Sequence, residues 1–186
     1  MKGVFIMASA QEKIYTINDI NALPEGTRAE LIDGQIYYMT PSTRAHQQLL
    51  LSISRQIADY IDRKGGPCEI YIAPFAVYLD KSTHTYVEPD ISVICDKNKL
   101  DDKGCNGSPD WIIEIVSPSS RRMDYSVKLF KYRSSGVREY WIVDPEKQRV
   151  MVHDLENEDI DEYSFSNIIS AKIYDDLSID FSHFRI

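Results

Sequence analysis

The run Trp111-Ile112-Ile113-Glu114-Ile115-Val116 limits most sharply what this chain can become. It is almost continuously apolar, the pattern of a central strand buried on both faces. One carboxylate interrupts it. A charge in such a setting is costly without a partner. Glu114 therefore belongs either to a structural ion pair with an arginine or to a site that holds a cation.

The elements around that strand follow from local chemistry. Ser117-Pro118-Ser119-Ser120 breaks it and offers caps for a helix over about 123–135, closed by Gly136 at a natural C′ position. Residues 137–143 form a further strand, turned by Asp144-Pro145. Upstream, a short helix follows Thr16 and ends near Pro24-Glu25-Gly26, and Asp33-Gly34 joins two strand-like runs as a hairpin. Ser42 or Thr43 caps a long helix to about Lys64, with Leu50, Ile53, Ile57 and Ile61 at helical spacing and Gly65-Gly66-Pro67 as its stop. Strands are expected over 68–79 and 87–95, and one or two more after 145 before an irregular C-terminus. In the helix over 123–135, Met123, Val127 and Phe130 form the apolar stripe expected to face the sheet. The order predicts an α/β fold, a mixed central β-sheet flanked by α-helices.

A length of 186 residues suits one domain, read as 14–186 after a frayed start over 1–13. With 43% hydrophobic residues the core needs no disulfide or structural metal. Cys68, Cys95 and Cys105 are odd in number and without CxxC spacing, so buried free thiols are expected. No apolar run approaches a membrane span, and the short greasy opening lacks a secretory core, which points to a cytoplasmic protein. The net charge of −8 argues against a surface that grips nucleic acid everywhere. A local basic stretch remains, between Arg121 and Arg138, opposed only by Asp124.

Asp90, after Glu88-Pro89, lies in the other strand expected to be a neighbour of 111–116. Two carboxylates meeting there repel unless one keeps a proton or a cation sits between them. Oxygen donors suit Mg²⁺ or Mn²⁺. On the following helix Lys128 stands four residues after Asp124, at the border of the apolar stripe, and could reach Glu114. Each residue also has a plainer reading: Asp90 a turn residue, Asp124–Lys128 a surface pair, Glu30 a hairpin flank, and His46 a packed histidine beside Leu50 and Ile53.

Together, Val87-Glu88-Pro89-Asp90, Glu114-Ile115-Val116-Ser117-Pro118-Ser119 and the series Asp124, Lys128, Tyr132, Gly136-Val137, Glu139-Tyr140-Trp141 and Val143-Asp144-Pro145 resemble one bacterial family. Glu30-Leu31-Ile32-Asp33-Gly34 and His46 fit its N-terminal half. It is the Uma-type "putative restriction endonuclease" family, a relative of the PD-(D/E)XK nucleases. The resemblance implies a restriction-endonuclease-like core and divalent-metal hydrolysis of phosphodiesters, with DNA favoured over RNA. It implies Asp90, Glu114 and the main-chain carbonyl of Ile115 as Mg²⁺ or Mn²⁺ ligands, Glu30 as a further acid, and Lys128 as the catalytic position that supplies the motif's positive charge. The lysine usual two residues after the acid is replaced by Val116. Arg121, Arg122, Lys131 and His46 are the candidates for nucleic-acid contact. A homodimer would suit cleavage of two strands, although no seam is visible. The rival readings are a non-catalytic nucleic-acid- or protein-binding module on the same fold, and a hydrolase of another phosphoester.

Overall fold

The computed structural model describes residues 13–80 and 82–184. Apart from Lys13, the start expected to fray lies outside the described residues. Thr16 caps α1 (Ile17–Asn21), and its N–H bonds the Asp19 carboxylate at 2.8 Å. The hairpin of β1 (Ala29–Ile32) and β2 (Gln35–Tyr38) turns on Asp33 and Gly34, both at positive φ, 51° and 77°. Thr43 caps α2 (Arg44–Lys64), which Gly65 ends in the left-handed conformation.

The run expected over 68–79 divides into β3 (Glu69–Ile72) and β4 (Val77–Tyr78). Pro74 has no N–H to give a ladder, which breaks the strand there. Pro89 likewise confines the next strand to β5 (Ile91–Ile94), leaving Asp90 just before it. β6 (Leu100–Asp101) and β7 (Gly104–Asn106) join β4 in a small side sheet. Then come β8 (Trp111–Ile115), a π-helical turn (Met123–Lys128) continuing into α3 (Leu129–Ser135), β9 (Glu139–Asp144), β10 (Arg149–Asp154) and β11 (Asp159–Ser164). Two short strands more than expected follow, β12 (Ile168–Ser170) and β13 (Ser178–Asp180), paired with each other. In each a single buried residue, Ile169 or Ile179, is too little for a period to register.

The main sheet runs β11-β10-β9-β8-β5-β3. Only β8 and β9 are parallel, joined by the crossover through the π turn and α3. One face, with Trp111, Ile113 and Trp141, packs on α2 and the C-terminal segment. The other, with Ile112, Tyr140 and Ile142, packs on Tyr132 and Val137. β8 is buried along its whole length, as its composition demands.

Two expectations fail here. Cys68 and Cys95 are disulfide-bonded rather than free, and Cys105 alone is a buried thiol. Glu69 pairs with Ile94 across β3 and β5, so the two cysteines face each other one step further along. No spacing in the sequence reveals a register.

The helix face is only partly as expected: Met123 and Val127 pack against the core, but Phe130 does not. Asp124 is 2% exposed, Lys128 5% and Tyr132 0%, whereas Phe130 is 68% exposed. The polar stripe points inward because its partners lie beneath it, and a π turn lets it do so.

The C-terminal segment is tied to the sheet by a buried carboxylate. Glu139 accepts from Trp141 Nε1 at 2.5 Å and from the N–H groups of Lys172 and Ile173 at 2.8 Å. Glu139→Ala leaves three donors unpaired and should cost about 3 kcal/mol in urea unfolding. A loss below about 1 kcal/mol would mean that this tie is dispensable.

Candidate active site

The β5–β8 register pairs Ile91 with Ile113, and one further step places Asp90 opposite Glu114. Asp90 Oδ2 accepts the Ile115 N–H at 2.7 Å and lies 3.1 Å from His46 Nε2. Thr43 Oγ1 holds the His46 N–H at 3.2 Å and so seats the histidine in the first turn of α2. His46 is thus not packing alone; it sets the orientation of Asp90.

Glu114 is reached from the other side of the site. Lys128 Nζ donates to Glu114 Oε1 and to Glu30 Oε1, each at 2.9 Å, and Tyr132 OH donates to Glu114 Oε1 at 2.7 Å. Glu30 sits in β1, which is bound to the 84–88 segment by paired Leu31–Tyr86 backbone bonds of 2.8 and 2.7 Å. Glu30 Oε1 also accepts the Glu88 N–H at 3.0 Å. Glu88 in turn takes Arg28 Nη2 at 2.6 Å and Tyr86 OH at 2.5 Å.

Three carboxylates, those of Glu30, Glu114 and Asp124, therefore lie within 4 Å of one ammonium, and Asp90 stands across the sheet from Glu114. Burial, with Asp124, Asp90 and Glu30 adding to it, holds the Glu114 carboxyl well above the usual carboxylate range against the pull of Lys128. Burial raises Asp124 to about 6. Burial opposes the Lys128 charge, yet Glu114, Glu30 and Asp124 outweigh it and keep the ammonium protonated. Burial and Glu114 hold the Tyr132 phenol protonated, so it stays a donor.

Of the residues singled out in sequence, Glu30, His46, Asp90, Glu114 and Lys128 converge. The basic candidates do not. Arg121 pairs with Asp144 and with Glu146, the latter at 2.6 Å, and Lys131 pairs with Asp33. Arg122 alone of that group is exposed without an ion pair among the described residues. Sequence reasoning missed the Arg28–Glu88–Tyr86 support and gave Tyr132 no role. The spacing of Asp124, Lys128 and Tyr132, four residues apart twice over, is the signal that could have found it.

The sequence profile of the Uma2 family, described as "Putative restriction endonuclease", matches residues 17–180. This chain belongs to that family. An uncharacterized Synechocystis protein, slr1290, is 30% identical over 103 residues, 55% of this chain. The match spans about half, 53%, of that relative's length. A crystal structure of a putative nuclease of the DUF820 group from Anabaena variabilis is 20% identical. It superposes with a TM-score of 0.72 over 90% of this chain and 97% of that one, and so carries the same fold. The Uma2 assignment agrees with the nuclease-like core and with acids gathered at one end of β5 and β8.

Restriction-endonuclease-like families generally use divalent metals. The Uma2 chain's residues fit one in donor chemistry: they offer oxygen ligands, with the carboxylates of Glu30, Glu114 and Asp124 buried around a single buried lysine. In the present arrangement no three acidic, histidine or cysteine side chains among the described residues enclose an ion-sized space. Lys128 stands where two of them would meet.

Removing that lysine leaves two buried acids without their counter-ion. Lys128→Ala should lower stability by about 3–5 kcal/mol near neutral pH in denaturant unfolding. Glu114 is already held above the usual range, so it binds a proton more readily folded than unfolded. The deficit should therefore shrink as pH falls from about 8 to 5. A deficit that grows on acidification would contradict the bridge.

Proposed function

We propose that this protein is a divalent-metal-dependent endonuclease that hydrolyses phosphodiester bonds, with DNA as its substrate. The observation that carries the reading is Lys128 buried between Glu30 and Glu114, with Asp90 opposite Glu114 on the neighbouring strand. The family's description supports nuclease chemistry and DNA in particular.

Asp90 and Glu114, with the main-chain carbonyl of Ile115 and Glu30 at hand, would hold Mg²⁺ or Mn²⁺. Such an ion, when bound, polarises a phosphoryl oxygen and lowers the pKa of water. The chain's own contributions are orientation and charge. The Ile115 N–H and His46 fix Asp90, and Tyr132 fixes Glu114, as partners of ligating carboxylates do. Lys128 supplies a positive charge for the developing negative charge on the phosphoryl group, taking the place of the lysine absent at Val116. Arg122 offers a contact for the phosphate backbone. A cytoplasmic location and a pair of copies for two-strand cutting belong to the same reading.

A non-catalytic binding module has one observation in its favour: Lys128 already neutralises the glutamates without an ion. Cleavage of supercoiled plasmid separates the two. With Mn²⁺ or Mg²⁺ the native chain should nick it, and Asp90→Ala or Glu114→Ala should slow nicking by about two orders of magnitude. Equal nicking by all three proteins would remove the site assignment, and no nicking by any would favour the module.

A further inference from the structure

Asp124 lies beside Lys128 but makes no hydrogen bond to it. Its carboxylate is buried, and Oδ1 has no hydrogen-bond partner. A buried acceptor left unpaired is costly, and a donor brought to it would be held. The backbone holds it firmly: Asp124 N–H bonds the Ser120 carbonyl at 3.0 Å, and Tyr140 OH donates to the Asp124 carbonyl at 3.0 Å. Lys128 belongs to the same π turn, so the separation of the two side chains is set locally.

That separation is suggestive. Lys128 Nζ lies 2.9 Å from Glu114 Oε1 and 3.9 Å from Asp124 Oδ1, a difference of 1.0 Å. A divalent ion on Glu114 would repel the ammonium from its present seat. Glu30 and Glu114 would be engaged, and the unpaired oxygen of Asp124 is the acceptor within reach. We propose that Asp124 is the receiving carboxylate for Lys128: on cation binding the ammonium passes from the two glutamates to Asp124 and remains in the site as a fixed positive charge. Asp124 is then a positioning residue, not a ligand of the ion. The inference rests on the metal-dependent reading above.

The π turn explains why the transfer is short. Both side chains descend from one helix face onto the sheet, and Tyr132, one turn on, anchors Glu114 by its own bond. Lys128 therefore needs to move only its terminal atoms, and the glutamates need not move at all.

The test is calorimetric titration of Mn²⁺ into the full chain, into Asp124→Asn, into Lys128→Gln and into the double variant. Asp124→Asn strands the ammonium on the glutamates, so Mn²⁺ affinity should fall about tenfold, the size of an ordinary coupling between sites. With Lys128→Gln no ammonium has to leave, and adding Asp124→Asn should change affinity by no more than about twofold. Equal losses in both backgrounds would make Asp124 a direct ligand or a general charge effect and would overturn the proposal. So would no loss in either. Should thermal melting show that Lys128→Gln is unfolded, the ¹⁵Nζ resonance of Lys128 decides. It should shift on adding Mg²⁺ to the native chain and not to Asp124→Asn, and the same shift in both overturns the proposal. A native chain that binds no Mn²⁺ removes the metal reading and this inference together. Binding with equal losses removes the inference alone.

Discussion

The ammonium of Lys128, out of reach of water between Glu30 and Glu114, is the contact on which the rest of this structure turns. Two glutamates cannot share a dry space as anions without a cation between them. The lysine comes from the crossover between β8 and β9, Glu114 from β8 itself, and Glu30 from the N-terminal hairpin. One charge thus joins three parts of the chain far apart in sequence. The hairpin has no strand of the main sheet as its neighbour. Its backbone bonds to the 84–88 segment and the Glu30–Lys128 contact hold it over the site.

The same requirement accounts for the helix after β8. An α-helix packed by its apolar residues would bury Phe130 and expose Asp124 and Lys128. The chain does the reverse, with a π turn, because satisfying Glu114 outweighs burying one phenylalanine. The cost of a polar stripe beneath a helix is met by full partnering of Lys128 and Tyr132, and Asp124 Oδ1 is the exception. His46 Nδ1, on the other side of the site, is the second buried polar atom there without a hydrogen-bond partner.

Much of this was legible in the residues. Asp33-Gly34 marked the hairpin, Thr43 and Gly65 bounded α2, and the run around Glu114 declared a central strand, because turn, cap and burial chemistry are local. The convergence of Asp90 with Glu114 was an inference from adjacent strands, and the register bears it out. What failed depended on long-range geometry. The Cys68–Cys95 bond follows from the β3–β5 register, and the inward turn of Asp124 from partners contributed by β1 and β8; the ion pairs of Arg121 and Lys131 with acids at 144, 146 and 33 are long-range in the same way. None of these is visible in a window of neighbouring residues.

The central claim is that Lys128 keeps a cation's place among acids arranged for a metal ion. The most direct measurement is the anomalous scattering of a crystal soaked in Mn²⁺. The account predicts a peak about 2.0–2.3 Å from carboxylate oxygens of both Asp90 and Glu114, with the Lys128 ammonium drawn away from Glu114. No peak at these acids, with Lys128 still bound to both glutamates, would contradict it.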